Sequence, residues 1–247
     1  MGESFGQYRL GRDEEVMRYI SSANIACGYH AGDPSVMRRT VDLAKRNHVE
    51  VGAHPSFPDL LGFGRREMNV SPDELTDYVV YQIGALQAFA QAEGVQLQHV
   101  KPHGALYNMA ANNEEMARAI AHSIKRINKN LILLVLARSK MIEICQKSGI
   151  RIANEAFADR AYTREGILAP RRMSGSEIND PDTIARRVVM LAEEGKVLTI
   201  DGEEIKLGKI HSICIHGDNP KAPEAASVVC KSLEKSNVRV MPLKKIV

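Results

Sequence analysis

Four histidines stand where short apolar runs stop. His30 follows Ser22–Cys27, His54 ends Glu50–Ala53, His103 follows the apolar approach to Lys101, and His216 ends Ile210–Ile215. Each is followed within two residues by Gly or Pro. The runs have the length and bounding turn signals of buried strands. In folds of alternating strands and helices, the loops that leave the strand ends surround one mouth, so the four imidazoles are expected to converge there. Asp59, Lys101, Asp159, Arg160 and Asp218 are expected at the same mouth, while His48, His99, His122 and His211 fall elsewhere.

Two chemistries fit such a collection. Histidines with a carboxylate can hold a divalent metal that activates water and polarises a carbonyl, although no HExxH or similar fixed spacing is present. Without a metal, histidine passes protons near neutral pH, and arginines can hold a substrate carboxylate through paired hydrogen bonds. A GxxxxGK[ST] phosphate loop is missing, so P-loop ATP binding is not expected. Gly2-Glu3-Ser4-Phe5-Gly6 has GxSxG spacing but lies in residues 1–20, which hold no clean strand, so a serine-hydrolase elbow is not expected either. The fragment Gly62-x-Gly64 lacks the third glycine and the strand-to-helix setting of a dinucleotide site.

The elements that must position these residues can be read from the same pattern. Asp33-Pro34 caps a helix whose apolar face is Val36, Thr40, Leu43 and Ala44. Ser71-Pro72-Asp73-Glu74 is a capping box, and the helix it opens carries Leu75, Val79, Ile83 and Leu86 on one face. Asn112 or Asn113 caps a third helix, Met141–Lys147 is a short one, Asp180-Pro181 opens another, and the last covers roughly 222–236. Between them lie Leu131–Leu136 and Arg151–Phe157 as strands, a polar loop at 163–180, and a hairpin at Val197–Leu207 about Asp201-Gly202. Strands thus alternate with helices, six main strands in all. That implies an α/β fold with a mostly parallel sheet, in one domain over residues 1–247.

Composition limits the function classes. The 247 residues are 44% hydrophobic and 26% charged, with a net charge of +3, too small to point to nucleic acid. No run approaches the ~18 apolar residues of a membrane span, and the first residues lack the basic and apolar regions of a signal peptide. Cys27, Cys145, Cys214 and Cys230 form no CxxC pair. Reduced thiols and a cytoplasmic location are expected.

Seven motifs carry a resemblance. They are Ser22–Ser35, Gly52–Asp59, Gly62–Arg66, Tyr81–Gln87, Val100–Asn108 (Val-Lys-Pro-His-Gly-Ala-Leu-Tyr-Asn), Phe157–Tyr162 and His216–Pro220. In this order they resemble the LamB/YcsF family, the A subunit of prokaryotic 5-oxoprolinase. The resemblance implies an irregular seven-stranded β/α barrel of the glycoside hydrolase/deacetylase kind. It also implies ATP-dependent opening of the 5-oxoproline lactam to L-glutamate, with separate B and C subunits and ATP as co-substrate of the complex. With the residue reading, it makes His54, Lys101, His103 and Asp159 the groups expected to move protons and stabilise charge. His30, Asp59, Arg65, Arg160, His216 and Asp218 are those expected to bind substrate. A divalent metal is left open. The alternatives are a metal-dependent deacetylase or amidohydrolase, and a non-catalytic subunit that presents the lactam to its partners.

One departure sets a further expectation. Members of the family usually begin with a strand reading roughly Asp-Leu-Asn-Cys-Asp ahead of Gly-Glu-Ser-Phe-Gly, whereas Met1 here stands directly before Gly2-Glu3-Ser4-Phe5-Gly6. The barrel is therefore expected to lack its first strand. A gap should separate the Asn24–Cys27 strand from the Ile213–Ile215 strand and leave two unpaired edges, with Glu3 as a remnant of the mouth.

Overall fold

Hydrogen bonding between short apolar segments builds the fold. In the computed structural model, which describes residues 1–247, six strands form one parallel sheet. They are β1 (Ser22–Ala26), β2 (Glu50–His54), β3 (Leu97–Val100), β4 (Ile132–Leu136), β5 (Arg151–Phe157) and β8 (Ser212–Cys214). Their spatial order is that of the chain, and each pairs in parallel with the next. β6 (Lys196–Leu198) and β7 (Glu204–Lys206) make the separate antiparallel hairpin expected about Asp201-Gly202.

Strand periodicity of two divides β4 between two environments. Leu133 and Val135 join the main core, whereas Ile132 and Leu134 meet Leu243 on the other side. The main core lies between the sheet and its outer helices: α2 (Pro34–Arg46), α3 (Pro72–Ala92) and α5 (Glu114–Ile127). Leu75, Val79, Ile83 and Leu86 of α3 are all buried there, as their spacing requires. Side chains fix the helix starts: Asp33 accepts from Val36 N, Ser71 and Glu74 complete the capping box, and Asn113 accepts from Met116 N. Asp180 caps α7 (Pro181–Glu193) in the same way, and α7 packs Ile184 and Val188 against α8 (Ala222–Lys235).

The sheet is curled into a half-barrel. Flat, β3 and β8 would stand three strand spacings apart, about 14 Å. Yet Lys101, just past β3, reaches the sulfur of Cys214 in β8 at 2.9 Å. β1 and β8 are the two edges, and no ladder joins them, so the expected gap is present. Met1 alone lies along the free edge of β1: its N donates to Asn24 O at 2.9 Å, and Ala26 N donates to its carbonyl at 3.0 Å.

Two elements differ from the sequence reading. The last strand pairs only over Ser212–Cys214, not 210–215, because His211 interrupts the ladder: its Nδ1 accepts from Asn154 N at 3.0 Å in place of a backbone carbonyl. A helix, α4 (Gly104–Ala110), starts directly after His103 where a loop was expected. It has seven residues, no capping side chain and a glycine at its head, so it gives little sequence signal. Two other short helices are α1 (Asp13–Val16) and α6 (Met141–Lys147), the latter as expected.

Candidate active site

The carboxyl ends of the parallel strands bring the chemistry together. His54 is the last residue of β2, Lys101 follows β3, and Asp159 and His216 each stand two residues beyond β5 and β8. They border a cavity of about 980 Å³ inside the curl, whose walls include Glu3, His54, Lys101, His103, Glu155 and His216.

Three imidazoles pack at one side of it. His30 stacks on His103 with ring centres 3.8 Å apart and planes 6° apart, and His54 stands edge-on to His103 at 4.7 Å. His54 Nδ1 lies 2.6 Å from Lys101 O, and His103 Nε2 lies 2.9 Å from Phe63 O. A carbonyl only accepts, so both of those nitrogens carry hydrogen. The remaining ring nitrogens, His54 Nε2 and His103 Nδ1, face each other at 3.0 Å. Burial, then the neighbouring histidines, hold both rings well below the usual imidazole range, and His103 feels Glu3 as a weaker opposing influence.

The loop 56–69 presses this cluster into place through Gly64. Its φ is +65°, and a Cβ there would stand 2.2 Å from Ser56 Oγ, 2.8 Å from His30 and 2.9 Å from His103. Gly104, at φ +56°, lets Gly64 O approach α4 and accept from Ala105 N at 2.9 Å. Only glycine fits both the left-handed backbone and the contact distance.

Across the cavity Lys101 is a fixed cation. Its Nζ lies 2.9 Å from Glu155 Oε1 and 2.9 Å from Cys214 Sγ, and 4.8 Å from the centre of the Phe157 ring. Burial works against its charge, but Cys214 and Glu155 outweigh that and raise it above the ordinary lysine value. Burial pushes the Cys214 thiol up to about 12, against the pull of the Lys101 charge. Tyr107 OH donates to the second Glu155 oxygen at 2.9 Å, so the carboxylate is held from two sides. A lysine so placed supplies positive charge and does not act as a base at neutral pH.

The third group is the pair Asp159–His216. The Asp159 carboxylate accepts from His216 N at 2.9 Å and stands 3.0 Å from its Nδ1. Burial raises the Asp159 carboxyl, but the His216 charge and hydrogen bonds bring it down to about 2. His216 borders the cavity, and Asp159 sits behind it.

The structure brings His30, His54, Lys101 and His103 to one place, with Arg65, Arg160, His216 and Asp218 around the same cavity. Arg65 pairs with Asp218 at 2.6 Å. Arg160 donates to the carbonyls of Ser176 and Ala169, which ties the 163–180 loop to the site. Asp59 is elsewhere: it accepts from Gly62 N, Arg66 N and the Arg66 guanidinium, and so shapes the 56–69 loop.

Comparison with known proteins gives this geometry a context. A model of the LamB/YcsF family matches residues 1–247. This chain belongs to the LamB/YcsF family. A relative from Pyrococcus abyssi, named as the A subunit of 5-oxoprolinase, is 58% identical over 244 residues, covering 99% of this chain and 95% of the relative. One of the same name from Clostridium beijerinckii is 54% identical over 246 residues, covering 100% and 96%. The crystal structure of a lactam utilization protein from Thermus thermophilus superposes with a TM-score of 0.91 at 50% identity, over 98% of this chain and 96% of that one.

Within this LamB/YcsF chain, sequence reasoning missed Glu155, Tyr107 and Cys214. The one available signal was Glu155 itself, a lone carboxylate in the otherwise apolar end of β5, since a buried carboxylate requires a partner.

Proposed function

We propose that this chain is the A subunit of an ATP-dependent 5-oxoprolinase, opening the 5-oxoproline lactam to L-glutamate with separate B and C subunits. Relatives at 50–58% identity carry the name of that subunit, which supports the reading. The observation that carries the site's role is the buried Lys101 ammonium, pinned by Glu155 across one cavity from two imidazoles and an Asp–His pair. We also propose that residues 1–247 act as one domain of the seven-stranded glycoside hydrolase/deacetylase barrel type, which the single curled six-stranded sheet supports. No helix is long and apolar enough to cross a membrane. The free cysteines and the need for ATP favour the cytoplasm.

A lactam is a poor electrophile. ATP is the means of activating its carbonyl oxygen, and the chain has no P-loop, so that step falls to the partners. The barrel then carries out ring opening: water attacks the carbonyl carbon of the O-phosphorylated ring, the carbon–nitrogen bond breaks as the nitrogen takes a proton, and a second water releases inorganic phosphate from the resulting acyl phosphate to leave L-glutamate. Lys101 stabilises the negative charge that develops on oxygen. His216, held by Asp159, gives the leaving nitrogen its proton, and the neutral His54–His103 pair lines the cavity where the attacking water is held. Arg65 and Arg160 hold the substrate carboxylate.

The test is glutamate release from 5-oxoproline and ATP with the B and C subunits present. Lys101→Ala and His103→Ala should each lower turnover at least ~100-fold. Near-normal turnover in both variants would remove these residues from the reaction. Unchanged turnover with weakened substrate affinity would instead favour a presenting subunit.

A further inference from the structure

Two lone pairs face each other in the wall of the cavity. His54 and His103 each spend their other nitrogen, as a donor, on the carbonyls of Lys101 and Phe63. Their free nitrogens are left 3.0 Å apart, both as acceptors when the rings are neutral. Such a contact is repulsive until something positive lies between the two. The Glu3 carboxylate is close by: one oxygen of Glu3 and one ring nitrogen each of His54 and His103 lie within 4.8 Å of one another.

We propose that Glu3, His54 and His103 form a binding site for one divalent first-row transition-metal ion. Two nitrogens bound at about 2.1 Å to one ion stand about 3.0–3.4 Å apart for angles between octahedral and tetrahedral. The observed 3.0 Å is in that range. A backbone carbonyl behind each imidazole is the usual support of a metal-bound histidine, because it fixes the tautomer and the ring plane. Two imidazoles and one carboxylate select zinc, cobalt, iron or manganese over calcium or magnesium, which take all-oxygen shells.

His30 is a second and independent pointer. It is fully buried, and neither ring nitrogen has a hydrogen-bond partner. Its Nε2 stands 3.9 Å from Glu3 Oε1, and its ring lies flat on His103. A single proton shared by His54 and His103 would also relieve their clash. It would leave both His30 nitrogens unpartnered, whereas an ion engages Glu3, which otherwise faces the Met1 ammonium, and gives His30 a place beside it. Binding of the ion stands on these side chains alone. Only its use, to hold water near the lactam carbonyl, rests on the function proposed above.

The experiment is titration of Co²⁺, Zn²⁺ and Mn²⁺ into the full chain after chelator treatment, with no lactam, ATP or partner present. One equivalent of at least one ion should bind, with nitrogen-ligand absorption bands for Co²⁺. His54→Ala, His103→Ala and Glu3→Gln should each weaken binding at least ~10-fold, while His122→Ala, on the outer face of α5, leaves it unchanged. Cu²⁺ paramagnetic resonance on the unaltered protein serves where a variant fails to fold, and coupling to two imidazole nitrogens is expected. Less than one-tenth of an equivalent bound, or a spectrum without nitrogen coupling, overturns the proposal. Loss of ring opening with metal binding intact would count against the lactam reading and leave the ion site standing.

Discussion

Lys101 and Glu155 meet inside the half-barrel, Nζ to Oε1 at 2.9 Å, although β4 lies between the strands that carry them. The contact exists because the sheet curls. It also means that the cation facing the cavity has a permanent counter-ion, so its charge is present before any substrate arrives. Preorganised charge of this kind needs no rearrangement during the reaction.

Breaking that pair should be far more damaging than replacing it. Lys101 and Glu155 are 4% and 1% exposed, so removing one partner strands a buried charge. Glu155→Ala should lower stability by about 3–5 kcal/mol in urea denaturation. The double change Lys101→Met with Glu155→Leu should lose less than that single change, since no buried charge is left. A double variant less stable than Glu155→Ala would show that the pair itself contributes net stability.

Asp159 and His216 set an acid limit. The Asp159 carboxyl titrates at about 2 in the folded chain against an ordinary 3.8, after His216 outweighs burial. A depressed folded value means the stabilisation is complete above the unfolded value and is lost as pH falls through the folded one. The window is therefore about pH 4 down to about pH 2, and the contribution is about 2 kcal/mol. Urea midpoints of the native chain and Asp159→Asn should converge across that window. Parallel curves would show that Asp159 is not the titrating group.

The histidine cluster was legible because each member ends an apolar run and is followed by Gly or Pro, a local pattern with a topological meaning. Asp59 and Asp159 were both expected at the mouth, yet Arg66 claims one and His216 claims the other. Such choices depend on which loops meet in space. Glu155 was hidden for a different reason: it is one position of an apolar strand, and its partners come from β3, α4 and β8 through the curl. The capped helices were legible because Asp33, Ser71 and Asp180 bond to their own first turns. β8 was overextended because hydropathy does not report that the His211 side chain replaces a ladder carbonyl.

Arg65 and Arg160 separate binding from chemistry. Arg65 is partly exposed and shares its charge with Asp218, while Arg160 is buried and also holds the 163–180 loop. If both guanidiniums hold the substrate carboxylate, Arg65→Ala should raise KM for 5-oxoproline about 10-fold with little change in kcat, the scale of one charge-assisted hydrogen bond. Arg160→Ala should change both constants, because the loop loses its anchor. A lowered kcat with unchanged KM in Arg65→Ala would place that residue on the reacting atoms instead.

Gly64 offers the sharpest test of how the histidines are held. Its backbone is in the left-handed region, and the missing Cβ would overlap Ser56 Oγ at 2.2 Å and crowd His30 and His103. Gly64→Ala must therefore shift the 56–69 loop or tilt the stacked imidazoles, at about 1–3 kcal/mol of stability. Tilting His103 by even a few tenths of an ångström moves Nδ1 away from its 3.0 Å approach to His54 Nε2. Gly64→Ala should thus lower both glutamate release and Co²⁺ binding at least ~10-fold while the fold persists by circular dichroism. Gly84→Ala is the control: it lies in α3 with nothing within 4 Å of its added carbon, and there alanine should be neutral or stabilising. Normal activity and metal binding in Gly64→Ala would mean that the loop relaxes freely and that the histidine geometry is held by α4 and the strand ends alone.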